Sequence, residues 1–198
     1  MKKTLVSWTD VENQTQEILR QLHQDQWRPN YVVGLTRGGL TPANLISQYL
    51  GCTMYSLDVS LRDAVDSQGP TTNLWMAEDA FGYIPRSHAP ESDQLVAEAL
   101  LGGDGSFDYT IHAKNILIVD DINDTGATLN WIHQDWRENC LPNHPRWDGV
   151  WGRNVRVAVL YDNEVSQNQM DIDYSAVTIN KAVDDVWIEF PWENWWTR

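Results

Sequence analysis

Apolar positions recur in two rhythms along the first third of the chain. From Val11 onward, Thr15, Ile18, Leu19 and Leu22 fall on one face at helical spacing, and Thr9-x-x-Glu12 reads as a capping box ahead of them. Tyr31-Val-Val-Gly-Leu35 is a short, nearly continuous apolar run, the composition of a strand covered on both faces. It empties into Thr36-Arg37-Gly38-Gly39. The next segment predicts a helix with Thr41 as cap, Pro42 in its first position, Leu45, Ile46, Tyr49 and Leu50 as its apolar face, and Gly51 as its stop. Thr53 to Val59 reads as a second strand.

Periodicity then fades. Residues 61–113 contain Gln68-Gly69-Pro70, Pro85, Pro90 and Gly102-Gly103-Asp104-Gly105, and within them only Ser92 to Leu101 predicts a helix. A segment this long is either a functional lid, open before substrates bind, or a sign of misassigned elements. Order returns with the buried strand Asn115 to Val119, followed by Asp120 to Gly126, and a helix with Leu129, Ile132, His133 and Trp136 on one face. A second insertion, 141–153, precedes strands at Val155 to Tyr161, Ala176 to Ile179 and Val186 to Phe190. Strands alternating with helices predict an α/β fold with a mainly parallel sheet flanked by helices, whose sites lie at the carboxyl ends of the strands.

Composition narrows the function. The 198 residues carry 14 Lys+Arg and 28 Asp+Glu, a net charge of −14, which favours one domain and opposes nucleic-acid and anionic-membrane partners. No apolar run approaches the ~18 residues of a membrane span. Lys2 and Lys3 are followed by an apolar run that Ser7 breaks and Asp10 ends, too short for a signal peptide. Cys52 and Cys140 form no C-x-x-C, so a reducing cytoplasm is expected. Four of the eleven tryptophans (Trp187, Trp192, Trp195, Trp196) crowd the tail, where core or subunit-interface packing is the expected role. Trp147 and Trp151 offer a further interface patch, and none of the five histidines has metal-ligand spacing.

The chemistry concentrates in Ile116-Leu-Ile-Val-Asp120-Asp121-Ile-Asn-Asp124-Thr125-Gly126-Ala127-Thr128. Two adjacent acids at the end of a buried strand can hold sugar hydroxyls or, through water, a hard cation such as Mg²⁺. Thr125 to Thr128 offers hydroxyls and approachable N–H groups at the positive end of a helix, a cradle for phosphate. The two functions stand one turn apart, as a ribose 5-phosphate requires. An Asp-Asp strand end also occurs in nucleotide-hydrolysing and receiver-type folds, but there is no phosphate-loop motif and no G-x-G-x-x-G after a strand.

This segment resembles the phosphoribosyl-pyrophosphate (PRPP) signature of type I phosphoribosyltransferases. Thr36-Arg37-Gly38-Gly39-Leu40, Val6-Ser7-Trp8 and Trp187-Ile188-Glu189-Phe190-Pro191-Trp192 are similar to stretches of the bacterial xanthine-guanine subgroup. The likeness covers residues 1–60, 114–135 and 155–192. It implies a single domain over residues 1–198, with 61–113 as an inserted lid and 162–198 as a small base-binding hood. It implies that Asp120 and Asp121 hold the ribose hydroxyls and Mg²⁺, and that Thr125, Gly126, Ala127 and Thr128 hold the 5-phosphate. Arg37, Gly38 and Gly39 would cradle pyrophosphate, Trp187 and Ile188 would line the base pocket, and Asp124 would be the general acid/base beside N7 of a purine. The expected partners are PRPP and a free nucleobase, with a homo-oligomer, dimer or tetramer, as the assembly.

The purine enzymes of this family carry a base-contacting lysine just after the next core strand. Here that register holds Asp162, which as an acceptor favours a 6-amino or noncanonical base. Lys181 is the one residue that would substitute for the lysine, and by sequence it reads as a solvated surface charge. A PRPP-binding regulatory protein without turnover is the alternative to an enzyme.

Overall fold

The computed structural model describes residues 2–59, 73–83 and 112–197. Its strands are β1 (Lys2–Leu5), β2 (Tyr31–Leu35), β3 (Thr53–Leu57), β4 (Ile116–Asn123), β5 (Val155–Asn163), β6 (Tyr174–Ile179) and β7 (Val186–Glu189), and its helices are α1 (Trp8–Gln24), α2 (Leu40–Leu50), α3 (Leu74–Phe81) and α4 (Ala127–Asn139). A five-stranded sheet runs in the order β3-β2-β4-β5-β6 with every pairing parallel, and β1 and β7 form a separate parallel pair, the hood. Successive side chains of a strand face opposite ways. Val33, Ile116 and Ile118 therefore join one core with α3 and α4, while Val32, Leu117 and Val119 join another with α1, α2 and the hood residues Val186, Ile188 and Phe190. The expected parallel α/β architecture is present, and among the described residues no helix is long and apolar enough to cross a membrane.

Several element ends differ from the sequence reading for local reasons. The capping box of α1 is Ser7 with Asp10: the Ser7 hydroxyl accepts from the Asp10 N–H at 3.1 Å, and the Asp10 carboxylate accepts from the Ser7 N–H at 2.8 Å. Thr9 is already inside the helix. Helix α2 starts at Leu40 on Gly39, and it buries Pro42, Ala43, Ile46 and Ser47 while Leu45 is partly and Tyr49 largely exposed. Close approach selects that face, because a Cβ on Gly34 of β2 would already stand 2.9 Å from the Ala43 Cβ. Gly51 ends the helix at φ 64°, as expected.

Helix α3 lies in a segment where the sequence shows no usable period. It is eight residues long, buries Met76, Ala77, Ala80 and Phe81, and stops at Gly82 with φ 82°. The expected helix at Ser92 to Leu101 and the rest of the expected lid lie outside the described residues. In the 141–153 segment Trp147 and Val150 join the core and Trp151 packs against it, in place of the expected interface patch. Trp147 is 1% exposed, packs on Phe81 with ring centroids 5.3 Å apart, and donates its indole N–H to the Cys140 carbonyl at 2.8 Å. Half-buried Trp151 packs against Trp136 and His133 with tilted rings.

Two stability measurements follow. Trp147→Ala should lower unfolding free energy by about 3–5 kcal/mol, the range for an aromatic cavity, with the loss read from urea melts. Asp173, just before β6, accepts the Val157 main-chain N–H at 2.8 Å, and burial pushes its carboxyl from 3.8 to about 6 against the pull of that N–H and of Arg156. A raised folded value means that protonation favours the fold, an advantage complete below pH 3.8 and lost as pH rises through about 6. Asp173→Asn should therefore be the more stable protein at neutral pH, by on the order of 2 kcal/mol, with the two proteins converging in acid.

Candidate active site

The carboxyl ends of β2, β4 and β5 bring the chemically competent residues together. At the end of β2 the chain turns through Thr36-Arg37-Gly38-Gly39, with a cis peptide bond between Thr36 and Arg37. The Thr36 hydroxyl donates to Asp58 Oδ1 at 2.8 Å, which ties the turn to the end of β3. A side chain at either glycine would collide with β4 or its acids. A Cβ on Gly39 would stand 2.2 Å from the Val119 carbonyl oxygen, and one on Gly38 would stand 1.8 Å from Asp121 Oδ2. Arg37 is exposed at the turn's tip.

Strand β4 extends through Asn123, four residues past the expected stop, because it stays paired with β5 through Asn123↔Asp162. Asp120 and Asp121 lie within the strand, near its carboxyl end as expected. The Asp121 N–H donates to Asp120 Oδ1 at 2.9 Å. Burial pushes the Asp121 carboxyl up to about 6, reinforced by the negative charge of Glu193. The Ile122 N–H and the Trp192 indole pull it back, the indole without reaching hydrogen-bond geometry.

Beyond β4, Thr125 is exposed, and Gly126 takes φ 83° to lead into α4, whose first N–H donates to Thr125 Oγ1 at 3.3 Å. The loop is braced from the β5–β6 connection. The Gln167 N–H donates to the Thr125 carbonyl at 3.0 Å, Asn130 of α4 donates its amide N–H to the Gln167 carbonyl at 2.7 Å, and the Gln169 N–H donates back to Asn130 Oδ1 at 2.8 Å. Gly126 has no room for a side chain, since a Cβ would meet Asn168 Oδ1 at 2.4 Å.

Asp124 has a partner the sequence did not indicate. Lys181, on the turn between β6 and β7, places Nζ 2.8 Å from Asp124 Oδ1, with its side chain only 18% exposed. Lys181 is thus a site residue rather than a solvated charge. The buried Asn163 holds both ends of this pair, its amide N–H donating to the Asp124 carbonyl at 2.8 Å and its Oδ1 accepting from the Lys181 N–H at 3.1 Å. Asp162 also reaches the strand ends, where its Oδ1 accepts from Asn123 Nδ2 at 2.7 Å. Of the two expected base-lining residues, Ile188 packs its side chain into the core beside α1 and Phe190, and Trp187, next to it on β7, is half-buried. Asn130, Asn163 and Glu193 carry no motif, so nothing in the sequence singles them out.

The donor set fits a hard divalent cation in part. Asp120 and Asp121 offer carboxylate oxygens, and Asp121, pushed up first by burial and then by the charge of Glu193, is a carboxyl whose ionised form a cation would stabilise. Among the described residues no group of three or more acids, histidines or cysteines could hold a metal ion alone. That suits Mg²⁺, which binds through one or two carboxylates with water and substrate phosphates as its other ligands.

Comparison with known proteins agrees with this geometry. Residues 3–194 match the phosphoribosyl transferase domain. The xanthine-guanine phosphoribosyltransferase of Cereibacter sphaeroides is 26% identical over 193 residues, spanning 95% of this chain and 85% of the relative. That of Idiomarina loihiensis is 22% identical, over 97% and 88%. Among solved structures, a purine phosphoribosyltransferase from Pyrococcus horikoshii superposes with a TM-score of 0.57 at 22% identity, covering 98% of this chain and 96% of that one. The Helicobacter pylori xanthine-guanine-hypoxanthine phosphoribosyltransferase gives 0.60 at 18% identity, with the same coverage. With a family match over nearly its whole length, the chain belongs to the type I phosphoribosyltransferase family.

Proposed function

We propose that this protein transfers the 5-phosphoribosyl group of PRPP to a ring nitrogen of a purine-type base and releases pyrophosphate, as a cytoplasmic homo-oligomer in purine salvage. The observation that carries this reading is the contact between the glycine turn and the acid pair: the Gly38 backbone lies so close to Asp121 that a methyl group would overlap the carboxylate. A leaving pyrophosphate held by the Arg37–Gly39 amides then lies beside the ribose hydroxyls held by Asp120 and Asp121.

The reaction forms a bond from a base nitrogen to C1 of the ribose and breaks the C1–oxygen bond, with pyrophosphate departing with the electron pair. Bound Mg²⁺ supplies neutralisation of the pyrophosphate charge. Asp120 and Asp121 fix the ribose, the Thr125 to Thr128 turn anchors the 5-phosphate, and Arg37 stabilises the departing charge. Asp124 receives the proton that the base loses as the new bond forms.

Isothermal calorimetry with PRPP and Mg²⁺ should show saturable heat in the parent, and its absence from folded protein at millimolar PRPP would reject the reading. Asp124→Asn should bind PRPP nearly as the parent does, yet release pyrophosphate at least about 100-fold more slowly with its best base. Full turnover in that variant would make Asp124 a structural residue. PRPP binding with no pyrophosphate release from any base would instead support the regulatory alternative.

A further inference from the structure

We infer that Asn130 is a positioning residue for the 5-phosphate: it clamps the β5–β6 connection, and the clamped connection presets the direction of the N–H groups that the turn before α4 offers. The inference rests on the proposed reading, in which that turn anchors the 5-phosphate of PRPP. It assigns a role to a segment that carries no motif.

The argument starts from the peptide plane. In a trans peptide the carbonyl and the following N–H point in opposite directions within one rigid unit, so a bond that holds the oxygen also aims the hydrogen. Two successive trans units of the turn are held in this way. The Asp124 carbonyl accepts from Asn163 Nδ2 at 2.8 Å, and the Thr125 carbonyl accepts from the Gln167 N–H at 3.0 Å. The N–H groups of Thr125 and Gly126 are therefore turned away from Asn163 and Gln167, and among the described residues neither has a hydrogen-bond partner. Gly126 adopts φ 83°, and α4 has no side-chain cap. Left-handed backbone at such a helix start lets successive N–H groups face one anion, and groups already aimed lose little freedom when it binds.

Asn130 supplies the rigidity. From the first turn of α4 its Nδ2 donates to the Gln167 carbonyl at 2.7 Å, and its Oδ1 accepts from the Gln169 N–H at 2.8 Å. Both ends of one planar amide thus grip the main chain on either side of Asn168. The helix is thereby tied to its own leading turn through a third segment. Between the two grips Asn168 fits against Gly126, where a Cβ would lie 2.4 Å from Asn168 Oδ1 and 3.0 Å from its main-chain nitrogen. That Oδ1 is enclosed without a hydrogen-bond partner, a cost that selection for stability alone would not retain. Asn130 is only half-buried, and the core face of α4 is made by Leu129, Ile132 and Trp136, so its truncation leaves the core intact.

The test measures binding of PRPP and of pyrophosphate, each with Mg²⁺, and of inorganic phosphate by calorimetry, with steady-state pyrophosphate release alongside. The proteins are the parent, Asn130→Ala and Gln167→Pro, the last of which removes the N–H that holds Thr125. Asn130→Ala should weaken PRPP binding and raise its KM about 10-fold, the size of one hydrogen bond to a charged group, with kcat and pyrophosphate affinity near the parent's. Gln167→Pro should show the same selective loss, and either variant carries the test if the other fails to fold. Unchanged PRPP affinity in a folded variant overturns the inference. Equal weakening of PRPP and pyrophosphate does so too, since a general structural defect would not single out the ligand that carries the 5-phosphate. A parent that takes no PRPP but binds inorganic phosphate in an Asn130-dependent way would overturn the transferase reading and leave the role of Asn130 standing.

Discussion

The site depends on a packing constraint at the ends of β2 and β4. The two strands are parallel neighbours, so their carboxyl ends emerge side by side and the turns that follow them compete for one volume. Glycine at 38 and 39 resolves the competition. With side chains absent, the backbone of one turn lies directly on the carboxylate and carbonyl groups of the other strand. Main-chain amides and acids thereby meet at atomic contact, an arrangement suited to a substrate that carries an anion and a diol on one small sugar. A methyl at Gly39 would part the two strand ends, because its neighbours are backbone atoms with little freedom to move, whereas one at Gly38 would displace the Asp121 carboxylate.

The charge pattern extends this. The chain brings Glu193 from beyond β7 back toward Asp121, so the hood adds negative charge where the sheet already has two acids. An ionised pair there is unfavourable in isolation, and a bound cation would offset that repulsion. Strain of this kind at a binding surface is consistent with a site tuned for its loaded state.

Much of the fold was legible because a buried parallel strand writes itself as an apolar run. Tyr31 to Leu35 and Ile116 to Val119 each announced a strand, and Gly51 announced a helix end. The motif residues were legible too, since the acid pair and the Thr125 to Thr128 turn are contiguous. What escaped was set by tertiary contacts. The face of α2 is fixed by Gly34 beneath Ala43, α3 is too short to show a period, and the continuation of β4 to Asn123 depends on β5. Lys181 lies 57 positions beyond Asp124 and meets it only because parallel strands deliver both to one end of the molecule.

The β5–β6 connection gives the Thr125 to Thr128 turn a dependence of another kind. Parallel strands are usually joined through a helix, yet residues 164–173 make this crossing without one and lean on Asn130 and Gly126 instead. The length of this connection therefore sets the turn into α4: a residue gained or lost between Val165 and Gln169 would shift the Gln167 N–H that holds the Thr125 carbonyl.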